Sequence, residues 1–412
     1  MKRGTTGSGT PAPAARAGEA VERAGPVLLA RAFRPFFLLA SLHAAVTPLA
    51  WVAVLRGALP PPPWLHPLGW HGHEMVFGFA TAAVAGFLLT AVPVWTSTRP
   101  LAGPALGGLA LLWLLGRVAP LLGGNLGAVG AALVEGLFLL GVLAAVTPPL
   151  VRRASRRNLV FPAVGAGLVA ANAAVHLEAL GLLSGAWRPA LRASVHGVVL
   201  LVVVLGGRLV PLFTARALAR AGLGGAPPAP PRWDVLAAPL YALFAAADLL
   251  LPGAVAAILA VPPAGLLALR LRRAAHRAVW RDPLLASLHL GYAWVPVGLG
   301  LLASEHAGVS LGGAASLQGL TAGAMGGMIL AMMTRVALGH TGRPFRAPRA
   351  VVPAFALVHA GALLRVAGPA LLAGHTGAVL LTSAVLWACA FGLYAAVHLP
   401  ILCGPRVDGR PG

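Results

Sequence analysis

Long apolar stretches alternate along the chain with short segments rich in arginine, glycine and proline. A helix that crosses the hydrocarbon core of a membrane needs about 20 consecutive apolar residues. Stretches of that length recur twelve times, and each predicts a membrane-spanning helix: 35–56, 70–96, 101–121, 126–149, 158–184, 191–215, 233–252, 254–270, 284–303, 312–336, 350–372 and 376–402. We therefore expect an all-α, polytopic membrane protein of about twelve transmembrane helices.

The composition also supports the prediction of a membrane protein. Of 412 residues, 58% are hydrophobic and 10% are charged, and the mean hydropathy is +0.84. A water-soluble core of this length needs far less apolar surface. Residues 1–26 contain no apolar stretch, so we expect a disordered cytoplasmic tail there and not a cleaved signal. Residues 27–403 then form the twelve-helix domain, and residues 404–412 form a short cytoplasmic tail.

The positive charge of the chain indicates which loops face the cytoplasm. The formal net charge is +21, but the arginines lie at the ends of apolar stretches and not on one basic face, so nucleic acid is not an expected partner. Arginine and lysine gather in cytoplasmic loops of membrane proteins. Their uneven distribution over alternate loops predicts that both termini are cytoplasmic. Lys2 is the only lysine, which excludes a P-loop, and the two cysteines form no C-x-x-C motif.

Polar side chains cluster in the stretch LGWHGHEMVFGF, residues 68–79. His71 and His73 are two residues apart, so on a regular helix they point about 200° apart and face different neighbours. Glu74 lies three residues after His71, on the same face, and could orient that imidazole. The alternative is a polar first turn that water solvates at the outer interface.

Several stretches of the chain resemble one known family. They include FRPFFLLA (33–40), WHGHEMVFGF (70–79), GGRLVPLFTARAL (206–218), HLGYAW (289–294) and MTRVALGHTGRP (333–344). With these motifs the chain resembles the NnrS family of bacterial membrane proteins. The resemblance implies a multi-pass protein of the inner membrane that contains haem b and copper and acts in nitric oxide metabolism, nitrosative stress or denitrification. The implied partners are the lipid bilayer, nitric oxide or a related small molecule, and an unidentified electron donor.

The same resemblance suggests which residues bind the cofactors. His71, His73, His196 and His289 are the expected metal-centre histidines, and Glu74 is expected to support them. His340 is a further metal candidate, although a histidine in such a glycine-flanked turn commonly just caps carbonyls. Gln318 stands where the family usually has histidine; glutamine is a poor ligand for haem iron, but it could hydrogen-bond to an iron-bound gas.

Arginines inside the predicted helices also need partners, because a buried cation requires an anion. Arg117 and Arg365 lie in the outer half of their helices, at the depth of the outer histidines. The resemblance implies haem propionates as their partners. Pairing with the few carboxylates of the helices is the alternative, and these are Glu135, Glu178 and Asp248.

Two classes of function follow. In the first, histidines inside the bundle hold haem and copper, and the protein binds nitric oxide or a related species; a haem-dependent redox protein belongs to this class. In the second, the chain is a multi-pass secondary transporter of a metal or a metal complex. Its glycine- and proline-rich helices would then be broken elements beside a transport site.

Overall fold

The computed structural model describes residues 26–61, 64–153, 158–224, 231–251, 253–309 and 315–410. The tail predicted for the N-terminus lies outside the described residues up to position 25. Every regular element in the described ranges is a helix. Twelve of these helices are long and apolar enough to cross a membrane, which confirms the predicted class and number.

The transmembrane helices are numbered in chain order. They are α1 (Phe33–Leu55), α2 (Pro67–Thr96), α3 (Gly103–Leu122), α4 (Leu126–Arg153), α5 (Val160–Ala179), α6 (Trp187–Arg220), α7 (Arg232–Leu250), α8 (Ala254–Ala274), α9 (Pro283–His306), α10 (Ala315–His340), α11 (Arg349–Leu371) and α12 (Ala373–Cys403). The predicted bounds differ from these by a few residues at most ends. Apolar length fixes a span more sharply than it fixes the last turn, where helices fray.

Helices α2 and α10 lie at the centre of the bundle. In each, 78% of the most apolar stretch is buried, against 28% for α3, α7 and α8. Both contain a π-helical segment, at Glu74–Ala80 in α2 and Gly319–Met325 in α10. Such segments often mark functional sites, because they change the direction in which side chains leave the helix.

Small residues allow α9 and α10 to pack closely. A Cβ atom added at Gly291 would lie 2.7 Å from the backbone nitrogen of Met328, and one added at Gly319 would lie 3.0 Å from the Cα of Gly298. Close backbone approach at small residues is a common way for helices to associate in a membrane. It fixes α10 against its neighbour and so positions the cavity described below.

The two ends of the domain meet through a buried arginine. Arg34, at the start of α1, donates from Nη1 to the carbonyl oxygens of Leu402 and Gly404 at the end of α12, both at 2.7 Å. A cation at the C-terminus of a helix is favourable. The residues after α12 also return to the bundle, where Arg406 donates to the carbonyl of His340 at 2.7 Å.

Candidate functional site

A buried network of charged side chains lies where α2, α3 and α4 meet. Arg117 of α3 donates from Nη1 to Oε2 of Glu74 at 2.6 Å, and from Nη2 to Oε1 of Glu135 on α4. Glu74 is 5% exposed and Glu135 is 2% exposed. The sequence left pairing with Glu135 open as an alternative to a haem propionate, whereas Glu74 was not among the carboxylates named for it. Two carboxylates around one guanidinium leave the network one negative charge in excess.

Two histidines approach the second oxygen of Glu135. The Nε2 atoms of His73 and His176 each lie 3.1 Å from Oε2 of Glu135. These three ligand atoms lie within 4.8 Å of one another, and all three side chains are buried. Two imidazoles and a carboxylate at this spacing can hold a transition-metal ion. We call His73, Glu135 and His176 the metal triad.

The surroundings of the metal triad hold its rings in place. Trp64 stacks on His176 with 5.4 Å between ring centroids and meets His73 edge-on at 5.1 Å. Asn172, one helical turn before His176 on α5, lies with Nδ2 at 3.0 Å from Oε2 of Glu135. Contacts of this kind around metal ligands orient them and tune their affinity.

The carboxylate of Glu74 contacts two other histidines and not His71. Its carboxylate lies 3.2 Å from Nε2 of His43 and 3.5 Å from Nδ1 of His73, besides its ion pair with Arg117. The reason is local. The α-helical turn of α2 ends at His73 and a π-helical segment begins at Glu74, so the spacing rule of a regular α-helix does not continue across this point.

His71 lies on another side of α2, beside a large cavity. Its ring stacks on Trp51 of α1 with 4.2 Å between centroids. Its Nδ1 atom is buried, and neither ring nitrogen has a hydrogen-bond partner among the described residues. The cavity has a volume of about 660 Å³, which is in the range of small-molecule and cofactor sites. We call it the outer cavity, after the half of the membrane predicted for His71.

Other polar residues on the wall of the outer cavity include Arg365 and Gln318. Arg365 is half-buried and makes no ion pair with the described residues; its guanidinium carbon lies 5.9 Å from the ring centre of Trp51. Gln318 accepts a hydrogen bond from the hydroxyl of Thr321 at 3.3 Å through Oε1. The structure therefore places His71, Arg365 and Gln318 around one cavity although they lie far apart in sequence.

His196 lies in a second buried network, centred on Asp248 of α7. Its Nε2 is 2.8 Å from Oδ2 of Asp248 and its Nδ1 is 3.0 Å from the hydroxyl of Tyr241. His306 and Arg192 approach the other oxygen of the same carboxylate, both at 2.6 Å. Protein groups thus engage both ring nitrogens of His196, which leaves neither for a metal in this arrangement.

The last two predicted histidines are apart from both networks. His289 has Nδ1 at 3.0 Å from the carbonyl of Leu285 in its own helix and Nε2 at 3.4 Å from the hydroxyl of Thr214. The ring of His340 packs on Phe33 at 5.6 Å between centroids. Neither joins the metal triad or lines the outer cavity, so their assignment to a metal centre remains a prediction.

Sequence reasoning did not single out Glu135 and His176 as metal ligands. A signal was present, since each interrupts an apolar helix and His176 is four residues after Asn172, on the same face of α5. His306, at the end of α9, was missed as well. A histidine at a helix end is usually interpreted as a cap that water solvates. The contact of His306 with Asp248 depends on tertiary packing, which the sequence does not show.

The fold and these networks define a class: a multi-pass helical membrane protein that buries histidine–carboxylate clusters and a cofactor-sized cavity inside its bundle. The chain belongs to the NnrS family. The family model described as NnrS protein matches residues 27–406, which include all twelve transmembrane helices. A search of curated proteins returned no match. Membership in this family associates the chain with nitric oxide.

Proposed function

We propose that this protein is a haem- and copper-binding membrane protein that acts in nitric oxide metabolism or in resistance to nitrosative stress. The observation that carries the proposal is the pair of imidazoles on α2, since His71 borders the outer cavity and His73 belongs to the metal triad. Family membership supplies the link to nitric oxide. One short stretch of helix would then serve two cofactors.

The outer cavity fits a haem by the chemistry of its wall. The iron of a haem would need a ligand from the protein, and His71 offers ring nitrogens that no described residue engages. The group also carries two propionates, and Arg365 offers a half-buried cation without an ion pair among the described residues. Apolar side chains such as Val76, Phe79 and Trp387 form much of the remaining wall. A bound haem supplies an iron that binds small gases and changes redox state.

The metal triad fits copper by its donor set. The Nε2 atoms of His73 and His176 each lie 3.1 Å from Oε2 of Glu135, and the three ligand atoms lie within 4.8 Å of one another. Imidazole suits copper as well as zinc and iron. The excess negative charge of the network favours a bound cation. Glu74 would hold the ring of His73, and Arg117 would fix the carboxylates of Glu74 and Glu135.

The residues around the two sites would act on the bound species by position and charge. Gln318 has Oε1 engaged by Thr321, so its amide group remains to donate a hydrogen bond to a small ligand inside the outer cavity. The stacked ring of Trp51 would restrain the orientation of His71. Electrons for any redox step would come from a donor that remains to be identified.

The transport alternative receives less support. Secondary transporters commonly bind their substrate at helices broken near the middle of the membrane. Here the two central helices, α2 and α10, are continuous and pass from α-helical to π-helical hydrogen bonding without a break. The π-helical segments change the direction of the side chains without interrupting the helix. That property suits fixed metal ligands better than a helix break that opens and closes during transport.

An optical spectrum of the detergent-purified protein, with a pyridine haemochrome assay, tests the proposal. We expect one haem b per chain and a Soret band that moves when nitric oxide is added. A colourless protein after expression with adequate haem and copper, with transport of a metal in vesicles, would overturn it.

A further inference from the structure

A second large cavity lies at the opposite end of the bundle from His71. It has a volume of about 1140 Å³ and lies between the C-terminal end of α6, the N-terminal end of α7 and the C-terminal end of α8. These ends meet at one face because successive spanning helices alternate in direction. The cavity is separate from the metal triad and from the Asp248 network. We call it the inner cavity, after the cytoplasmic side predicted for these loops.

The wall of the inner cavity combines apolar and basic side chains. The apolar part includes Val160, Val203, Val204, Leu212 and Val235. The basic part consists of Arg208, Arg232, Arg270, Arg273 and His276. A ligand that fills this space must therefore combine a hydrocarbon portion with an anionic group.

One of these arginines is neutralised within the protein. Arg270 donates from Nε to Oδ1 of Asp234 at 2.7 Å and from Nη1 to the hydroxyl of Tyr292, also at 2.7 Å. Asp234 is the only carboxylate among the described residues that line the inner cavity. Arg232 and Arg273 therefore give the described part of this wall a net positive charge.

Contacts of other kinds hold the remaining basic groups of the wall. The guanidinium carbon of Arg273 lies 5.8 Å from the ring centre of Trp233, and Arg208 donates to Oδ1 of Asn158 at 2.8 Å. Nδ1 of His276 accepts from the backbone amide of Ala278 at 3.1 Å, which leaves Nε2 for a ligand. The side chain of Arg232 is exposed.

We propose that the inner cavity binds an anionic phospholipid, with its phosphate at Arg232 and Arg273 and its acyl chains along the valines of α6. Basic pockets between transmembrane helices at the cytoplasmic surface are suited to such headgroups. Arginine forms strong paired hydrogen bonds with phosphate oxygens. A free phosphate ion would fill only a small part of this volume and would leave the apolar wall uncovered, which favours the lipid.

The test is thermal unfolding of the purified full chain in detergent while phosphatidylglycerol, phosphatidylcholine or inorganic phosphate is added. We expect phosphatidylglycerol to raise the unfolding midpoint in a saturable way and phosphatidylcholine to leave it unchanged. The double variant Arg232→Gln/Arg273→Gln should need about 30-fold more phosphatidylglycerol for half of the effect, at roughly 1 kcal/mol per arginine. Its haem content should be unchanged.

The matched control is Arg152→Gln/Arg153→Gln, which removes two exposed arginines from the end of α4, outside the inner cavity. It should respond as the unmodified protein does. The charge-preserving variant Arg232→Lys/Arg273→Lys should recover most of the response, which separates lost binding from misfolding. The proposal is overturned if the control loses as much as the double glutamine variant, if the lysine variant recovers nothing, or if inorganic phosphate saturates the effect and the lipid adds none.

Discussion

The imidazoles of His71 and His73, two residues apart on α2, lie in different parts of the bundle. His71 stacks on Trp51 beside the outer cavity, whereas Nε2 of His73 lies 3.1 Å from Oε2 of Glu135 in the metal triad. A regular helix separates such positions by about 200°, and the structure bears out that separation. Two histidines separated by one residue can thus face two separate sites.

Glu74 should act through His73 and not through His71. In the variant Glu74→Gln, the side chain keeps its shape but loses the charge that faces His43, His73 and Arg117. We expect copper affinity to fall by about 10–100-fold, the usual effect of losing a group that orients a metal ligand, with haem content unchanged. Copper titration followed by metal analysis measures this. Normal copper binding together with lost haem would show that the carboxylate serves the other site.

His176 should be as important for copper as His73. Its Nε2 atom lies at the same 3.1 Å from Glu135, so His176→Ala removes one of three ligands and should reduce bound copper to background. Its haem signal should stay. His375 is exposed in the first turn of α12, so the control variant His375→Ala should bind copper fully. If His176→Ala retained its copper, the metal triad would not be the copper site.

Loss of Arg117 should mainly lower the stability of the fold, whereas loss of Arg365 should mainly lower haem retention. Arg117→Leu leaves two buried carboxylates without their cation, and removing one partner of a buried ion pair typically destabilises a fold by about 3–5 kcal/mol. Arg365→Leu breaks no ion pair among the described residues, so it should have a smaller effect on stability. It should lower haem retention, because the proposed partner of Arg365 is a haem propionate. Thermal unfolding and haem content of both variants check this. Equal loss of stability in the two would contradict these roles.

Arg34 should stabilise the contact between the ends of the domain. Arg34→Leu leaves the carbonyls of Leu402 and Gly404 without their donor, at a cost of about 1–3 kcal/mol for a buried group left unpaired. We expect a lower unfolding midpoint in detergent. Arg410→Leu, which removes an exposed side chain, should leave the midpoint within the error of the measurement. An unchanged midpoint in Arg34→Leu would show that the contact adds no stability.

The orientation of the bundle can be tested with reporter fusions. We expect cytoplasmic signals from fusions after Arg153, Arg273 and Arg346, because arginine-rich loops stay inside. Fusions after Leu65, Ser184 and Ala307 should report the periplasm. A single reporter on the wrong side would break the twelve-helix topology or its direction.

Sequence predicted the fold more completely than the site. The length of an apolar stretch and the charge of its flanks are local properties, so twelve spans could be read from the chain with small errors at their ends. The separation of His71 from His73 was also local. The metal triad joins three helices, since His73 is on α2, Glu135 on α4 and His176 on α5, and no local spacing predicts which helices become neighbours.

The same limit explains the partner of Arg117. Its carboxylate alternative could be anticipated, because a buried arginine needs an anion, but the choice of both Glu74 and Glu135 depends on how α3 packs against α2 and α4. The contacts of Glu74 could not be predicted for a different reason. A π-helical segment starts at that residue, and the sequence gives no clear sign of it.

The most direct test of the central claim measures haem and copper side by side in purified His71→Ala and His73→Ala, with His375→Ala as the control. We expect that His71→Ala loses haem and keeps copper, that His73→Ala loses copper and keeps haem, and that the control keeps both. If both variants at α2 keep haem and copper at the level of the control, or if both lose the same cofactor, α2 does not carry two separate sites.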